Sequence, residues 1–140
     1  MSPKLWLLCG ALLGGSAVAL GAYRAHRLET RLKAEAADDA AKKGAIEKRL
    51  TDCETALRYQ MFQALALLIV GVLAERRSSK CLSAAAICFF LGTLLFCGPL
   101  YLVSLFDVHL HWAVIPSGGA LLIAGWVVFC ISCVLRPTAN

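Results

Sequence analysis

Four stretches of this chain contain no aspartate, glutamate, lysine or arginine: Leu5–Tyr23, Tyr59–Ala74, Cys81–Phe106 and Trp112–Leu135. They run for 19, 16, 26 and 24 residues in a chain of 140 that is 16% charged and 59% hydrophobic. A soluble domain carries about 25% charged residues, and a soluble core of this size has no room for so much apolar side chain. Lipid is the solvent that this composition fits. Active-site signatures are missing as well: there is no nucleophile–base pair, P-loop, dinucleotide fingerprint or haem motif. Gly118-Gly119 is not a phosphate loop, because no Lys-Ser/Thr follows it. The expectation is therefore no cofactor and no enzymatic activity. A disulfide framework is also lacking. The seven cysteines (Cys9, Cys53, Cys81, Cys88, Cys97, Cys130 and Cys133) are odd in number and scattered. Cys130-x-x-Cys133 has a redox spacing, but it sits in an apolar helix with no basic partner to lower a thiol pKa, and it reads as packing.

What is present is a pattern of spans and connectors. A membrane-crossing helix needs about 20 apolar residues, and backbone polar groups in lipid are satisfied only within a helix or a closed barrel. The spans fall at about 5–23, 57–74, 81–106 and 114–135, with a charged connector at 24–56. The expected fold class is an all-α membrane protein, residues 1–140 forming a single four-transmembrane-helix bundle with amphipathic helical extensions between helices one and two. The first span also has the shape of a secretory leader: Lys4, an apolar run, then Ala17-Val18-Ala19. Cleavage there would leave three helices. Pro116 suits the first turn of helix four, where its missing N–H costs nothing. Pro99 lies inside helix three, frees the carbonyl of Leu95, and predicts a kink.

Arg24–Arg58 holds nine basic and seven acidic residues. Within it Leu28 and Leu32, then Ile46, Leu50, Cys53 and Leu57, recur at helical spacing. This predicts two amphipathic helices broken near Lys43-Gly44, either lying on the membrane surface or packed as an antiparallel stalk; the plain alternative is a solvated connector. The net charge of +5 does not point to nucleic acid. The basic residues lie between apolar runs, where they act as topology signals and phospholipid contacts. The face with the N-terminus holds Lys4, Arg76, Arg77, Lys80 and Arg136, and the connector face holds the other nine. Yet the second connector-face loop has no Lys or Arg and the opposite turn is densely basic, so the charge rule selects no single orientation.

Small residues repeat along the helices: Gly10, Gly14, Ala17 and Gly21 on helix one, Ala64 and Gly71 on helix two, Gly118, Gly125 and Ser132 on helix four. Such faces let helix backbones approach in a bilayer. The threading gathers uncharged polar groups at the connector face. Tyr23 and His26 end helix one; Tyr59, Gln60 and Gln63 begin helix two; Tyr101, Asp107, His109 and His111 end helix three. Gln60 and Gln63 share a helix face and are expected to hydrogen-bond to Tyr23, His26 or Tyr101. Asp107, His109, His111 and His26 are metal-ligand types, but His-x-His in an interfacial loop is a weak signal and no metal is expected. The spans carry no ionisable carboxylate or lysine of the kind that ion and proton routes use.

Several segments together carry a family resemblance: GALLGGSAVALGAYRAHRLE from Gly10, ALRYQMFQALALL from Ala56, FFLGTLLFCGPLYLVSL from Phe89 and VIPSGGALLIAGW from Val114. In order and spacing they resemble the YgdD/YwdK-type family of small inner-membrane proteins, the domain of unknown function 423, with relatives among animal mitochondrial membrane proteins. The resemblance implies four helices, a retained first helix, and a bacterial inner membrane or a mitochondrial membrane as the location. It implies no activity. The chain departs from the family where Arg24 and Arg27 flank Ala25-His26 in place of small residues, where Gln63 stands at a His position, and where the charged connector is longer. The leading expectation is a non-enzymatic accessory or assembly subunit, bound to lipid and to other membrane subunits or itself. The alternative is an oligomeric small-molecule or ion-handling protein built on the polar cluster; a membrane enzyme using the same histidines is a third reading.

Overall fold

The computed structural model describes residues 2–35, 40–77 and 79–134. Helix α1 spans Pro3–Tyr23 and continues through a π turn, Arg24–Leu28, into the short α2, Glu29–Glu35. Helix α3 covers Ala40–Arg76, α4 Lys80–Phe106 and α5 Val114–Val134. No strand occurs among the described residues. Four helices are long and apolar enough to cross a membrane. Leu135, the last residue of the expected fourth span, lies outside the described residues, as do residues 36–39 of the connector.

The helices pack in chain order: α1 against α3, α3 against α4, α4 against α5. The two flanking interfaces are built on glycine. A methyl group added at Gly10 would lie 2.9 Å from the Ala64 carbonyl oxygen, and one at Gly71 would lie 2.7 Å from Leu7. On the other flank Gly92 meets Leu122, Gly125 meets Phe89, and Gly118 meets bare backbone, 2.5 Å from Phe96 N and 2.6 Å from Leu95 C. Gly92 was not singled out by its sequence setting. The central α3–α4 interface is instead a side-chain core in which Ala66, Leu67, Val70, Leu82, Ala85, Ala86 and Phe89 bury against one another, with Trp6 of α1. Gly14 makes ordinary contact with Ala64, and Ala17 is buried. Gly21 departs from expectation: nothing lies within 4 Å of a methyl placed there. Beyond Ala17, α1 and α3 are joined by the long Arg24 side chain rather than by backbone approach.

The connector is a helical hairpin. Leu28 and Leu32 from the first arm bury against Ile46, Leu50 and Cys53 of the second, and Leu57, Tyr101 and Leu105 close the cluster. Each such side chain contributes about 1.5–3 kcal/mol relative to exposure. The expected break at Lys43-Gly44 does not occur, because α3 runs unbroken from Ala40. A single glycine costs a helix only about 1 kcal/mol, and the Ile46–Leu50–Cys53 face more than offsets it. Pro99 lies buried within a continuous α4. That helix begins at Ser79, whose hydroxyl accepts the Leu82 N–H, and ends at Asp107 in the left-handed region, φ 58°. There Asp107 N–H and Val108 N–H bond back to Val103 and Leu102 carbonyls, a stop built on the left-handed residue at Asp107.

Gly118→Ala forces its Cβ into the Leu95–Phe96 peptide, so it should lower stability by about 1–3 kcal/mol. Gly21→Ala has open space and should be neutral or stabilising by up to about 1 kcal/mol. Thermal unfolding of both variants in one detergent checks the contrast.

Candidate functional site

The polar centre of the molecule is the Gln60 amide, buried where α1, α3 and α4 meet. Its Nε2 donates to the Leu13 carbonyl at 2.8 Å and to Ser16 Oγ at 2.8 Å. Its Oε1 accepts the Tyr101 hydroxyl at 2.7 Å. One side chain thus ties three helices. Interhelical bonds of this kind contribute about 0.6 kcal/mol each, up to about 1.7. Gln63, one turn along α3, is equally buried, but its Oε1 has no hydrogen-bond partner. Tyr59 stacks on Phe96 with centroids 4.9 Å apart and keeps an exposed edge.

The remaining residues of the expected cluster are not drawn together. Tyr23 and His26 are exposed on α1 and the π turn. His109 is exposed in the α4–α5 loop, while His111 braces the turn that leads into α5: its Nδ1 accepts the Ala113 N–H and its carbonyl accepts the Val114 N–H. Asp107 caps α4 and sits 4.0 Å from Arg49. No group of three or more His, Cys, Asp or Glu placed to hold a metal occurs among the described residues. Cys130 and Cys133 are free thiols on the exposed side of α5.

Two arginines with no signal in the local sequence fasten the hairpin: Arg24 ties its two arms together, and Arg49 ties it to α4. Arg24 donates from Nε to the Leu50 carbonyl and from Nη2 to Glu54. Arg49, its side chain only 16% exposed, donates from Nε and Nη2 to the Ser104 carbonyl. These bonds join residues 26 to 55 positions apart, and no local spacing signals them. Ser16 had a weak signal, as a lone hydroxyl among Gly, Ala and Leu. A groove of about 580 Å³ lies along the hairpin, floored by Ile46 and Leu50 and rimmed by Arg24, Lys33, Lys43, Glu29 and Glu47. Glu29 is held below the usual carboxylate range by a hydrogen bond from Lys33 and that residue's charge, outweighing a small desolvation effect. Burial pushes the Cys53 thiol above its ordinary 9.0, only partly offset by Arg24.

Four apolar helices with lipid-compatible outer faces define an integral, multi-pass membrane protein. The chain belongs to the family described as Protein of unknown function (DUF423), which matches residues 20–119. It is 35% identical to a UPF0382 membrane protein of Staphylococcus haemolyticus over 129 residues, 92% of this chain and 94% of that one. It is 30% identical to the UPF0382 membrane protein YwdK of Bacillus subtilis over 132 residues, 94% and 97% of the two chains. It is 33% identical to the UPF0382 inner membrane protein YgdD of Escherichia coli over 134 residues, 96% and 92%. No solved structure matches. The family segment covers the hairpin and the Gln60–Tyr101 pair but begins after Leu13 and Ser16.

Gln60→Leu should cost about 1–3 kcal/mol, whereas Gln63→Leu, removing an unpartnered buried acceptor, should leave stability unchanged or raise it. Chemical unfolding in mild detergent separates the two. In a second test, aqueous maleimide should modify Cys53 slowly in the intact hairpin. Leu32→Ala, which opens a cavity costing about 2–5 kcal/mol, should speed that modification at least about tenfold, read by peptide mass mapping. Because the folded thiol pKa is raised, the neutral thiol's contribution is complete below 9.0 and fades as pH climbs toward the folded value.

Proposed function

We propose that this protein is a non-enzymatic accessory or assembly subunit of a larger membrane complex, and that the hairpin is the surface its partner reads. The observation that carries this reading is the hairpin's own core: five buried side chains order it, where a connector serving only topology needs no core. The opposite face makes do with a turn between Arg76 and Lys80. Outside its core the hairpin offers charge. Lys43 and Glu47 are exposed along the groove floored by Ile46 and Leu50, and Arg27 is exposed on the π turn. The polar groups of Gln60, Ser16 and Tyr101 bond to one another, which suits holding helices more than moving solutes. The partner is another membrane subunit or a second copy, in a bacterial inner membrane or a mitochondrial membrane.

The second reading, a small-molecule or ion-handling oligomer, is favoured by one observation, the unpartnered Gln63 acceptor inside the bundle. Reconstituted vesicles whose solute flux falls with Gln63→Leu would support it.

The test of the leading reading is native mass after gentle extraction, with identification of co-purifying chains. Arg27→Glu with Lys43→Glu should abolish a stoichiometric assembly while leaving thermal stability within about 0.5 kcal/mol. A wild-type chain that runs alone, or an assembly indifferent to both changes, refutes the hairpin as a docking surface.

A further inference from the structure

The close contacts between α4 and α5 fix one antiparallel register. Gly118 lies against Leu95 and Phe96, Leu122 against Gly92, and Gly125 against Cys88 and Phe89. That register sets Val114, the first residue of α5, level with Leu100. Helix α4 nevertheless continues to Phe106, about 9 Å further along the bundle axis at 1.5 Å per residue. Residues 107–113 therefore do not pass directly across from one helix to the next. They descend about 9 Å beside the last turns of α4 before α5 begins. The described part of helix α5 has 21 residues, about 31 Å, which is already enough to cross hydrocarbon of about 30 Å. With the start of α5 at the hydrocarbon boundary, the descending loop would lie in the headgroup layer, about 5–7 Å thick on each side.

The side chains along that descent are apolar at every second residue. Phe106, Val108, Leu110 and Trp112 are 68%, 46%, 46% and 79% exposed, and Asp107, His109 and His111 alternate with them. All four are exposed, so the loop and its flanks present a run of apolar surface. In water four such side chains in seven residues would be a liability. In the headgroup layer the arrangement is favourable, with apolar bodies toward the acyl chains and polar groups among the headgroups. The neighbouring helices α4 and α5 also expose apolar side chains, among them Leu94, Leu95 and Ile123.

We propose that Phe106–Trp112 is a lipid-binding segment, laid into the headgroup layer with Phe106, Val108, Leu110 and Trp112 inserted to the acyl boundary. Its occupant is the lipid monolayer rather than a protein. Through Asp107, 4.0 Å from Arg49, and Ser104, whose carbonyl Arg49 holds at 3.0 Å, the anchored loop also fixes the base of the hairpin against the membrane surface.

The experiment uses the full chain in phosphatidylcholine vesicles with acyl chains brominated near the headgroup. Trp6→Phe and Trp126→Phe leave Trp112 as the one fluorophore; adding Trp112→Phe with Val108→Trp moves it to the start of the loop. Both positions should lose about half their emission to the bromolipid, and should be quenched by aqueous acrylamide several-fold less than free tryptophan. If the multiple variants do not fold, the difference between the wild-type chain and Trp112→Phe, and between Val108→Trp and the wild-type chain, gives the same two readings. Absence of bromolipid quenching at position 108 overturns the proposal, whether acrylamide then reaches the site, as for a loop in water, or fails to, as for a loop covered by protein.

Discussion

Hydrocarbon offers no hydrogen bonds, and the rest of the molecule follows from that. Peptide groups placed in it are satisfied along their own helix, so the apolar runs become rods before they choose neighbours. Neighbour choice is then a matter of contact, because lipid tails attract a leucine as well as another helix does. The flanking interfaces answer with backbone-to-backbone approach at Gly10 and Gly118. The central one answers with interlocked volume around Phe89, Leu67 and Val70. The Gln60 amide adds direction, since its three partners sit on two other helices and specify both which helices meet and at what height.

Above the headgroups the solvent changes, and so does the means of assembly. The hairpin follows the rules of a water-soluble protein. Leucine, isoleucine and cysteine turn inward, and four-residue ion pairs such as Lys33–Glu29 and Lys48–Asp52 decorate the outside. Tyr101 and Leu105 belong to its core, so the end of α4 is shared between two solvents. The junction is where long arginine side chains cross, their stems against apolar surface and their guanidinium groups on carbonyls, a geometry that arginine's planar set of donors permits and a lysine ammonium does not.

The spans, the fold class and the hairpin's apolar stripe were legible because each is a periodic, local signal. The Gln60–Tyr101 pairing was legible for a different reason: the threading of four spans places both residues at one level, and few other polar groups compete there. Gly21 misled because a repeat of small residues does not reveal where two helices part. Arg49 was hidden because its acceptor is a backbone carbonyl, which every residue supplies and no side-chain pattern marks, and Arg24 because its partners, the Leu50 carbonyl and Glu54, lie 26 and 30 residues away. Gly44 misled in turn, since a residue that weakens a helix locally was taken for its end, while the buried face around it decided the outcome. His111 was legible as a polar residue near the interface but not as the brace of the turn into α5, a role that depends on how the chain turns after it.

Helix α3 has a mechanical consequence. It is a single rod of 37 residues, about 55 Å long, and it runs from the basic turn on one face, through the bilayer, to the outer reach of the hairpin. A rod held near its middle is a lever. A tilt of a few degrees about that middle moves each end of the rod by about 2 Å. The outer reach of the hairpin and the basic segment at the other end of α3 are thus the parts that a change of tilt displaces most, and they move in opposite directions.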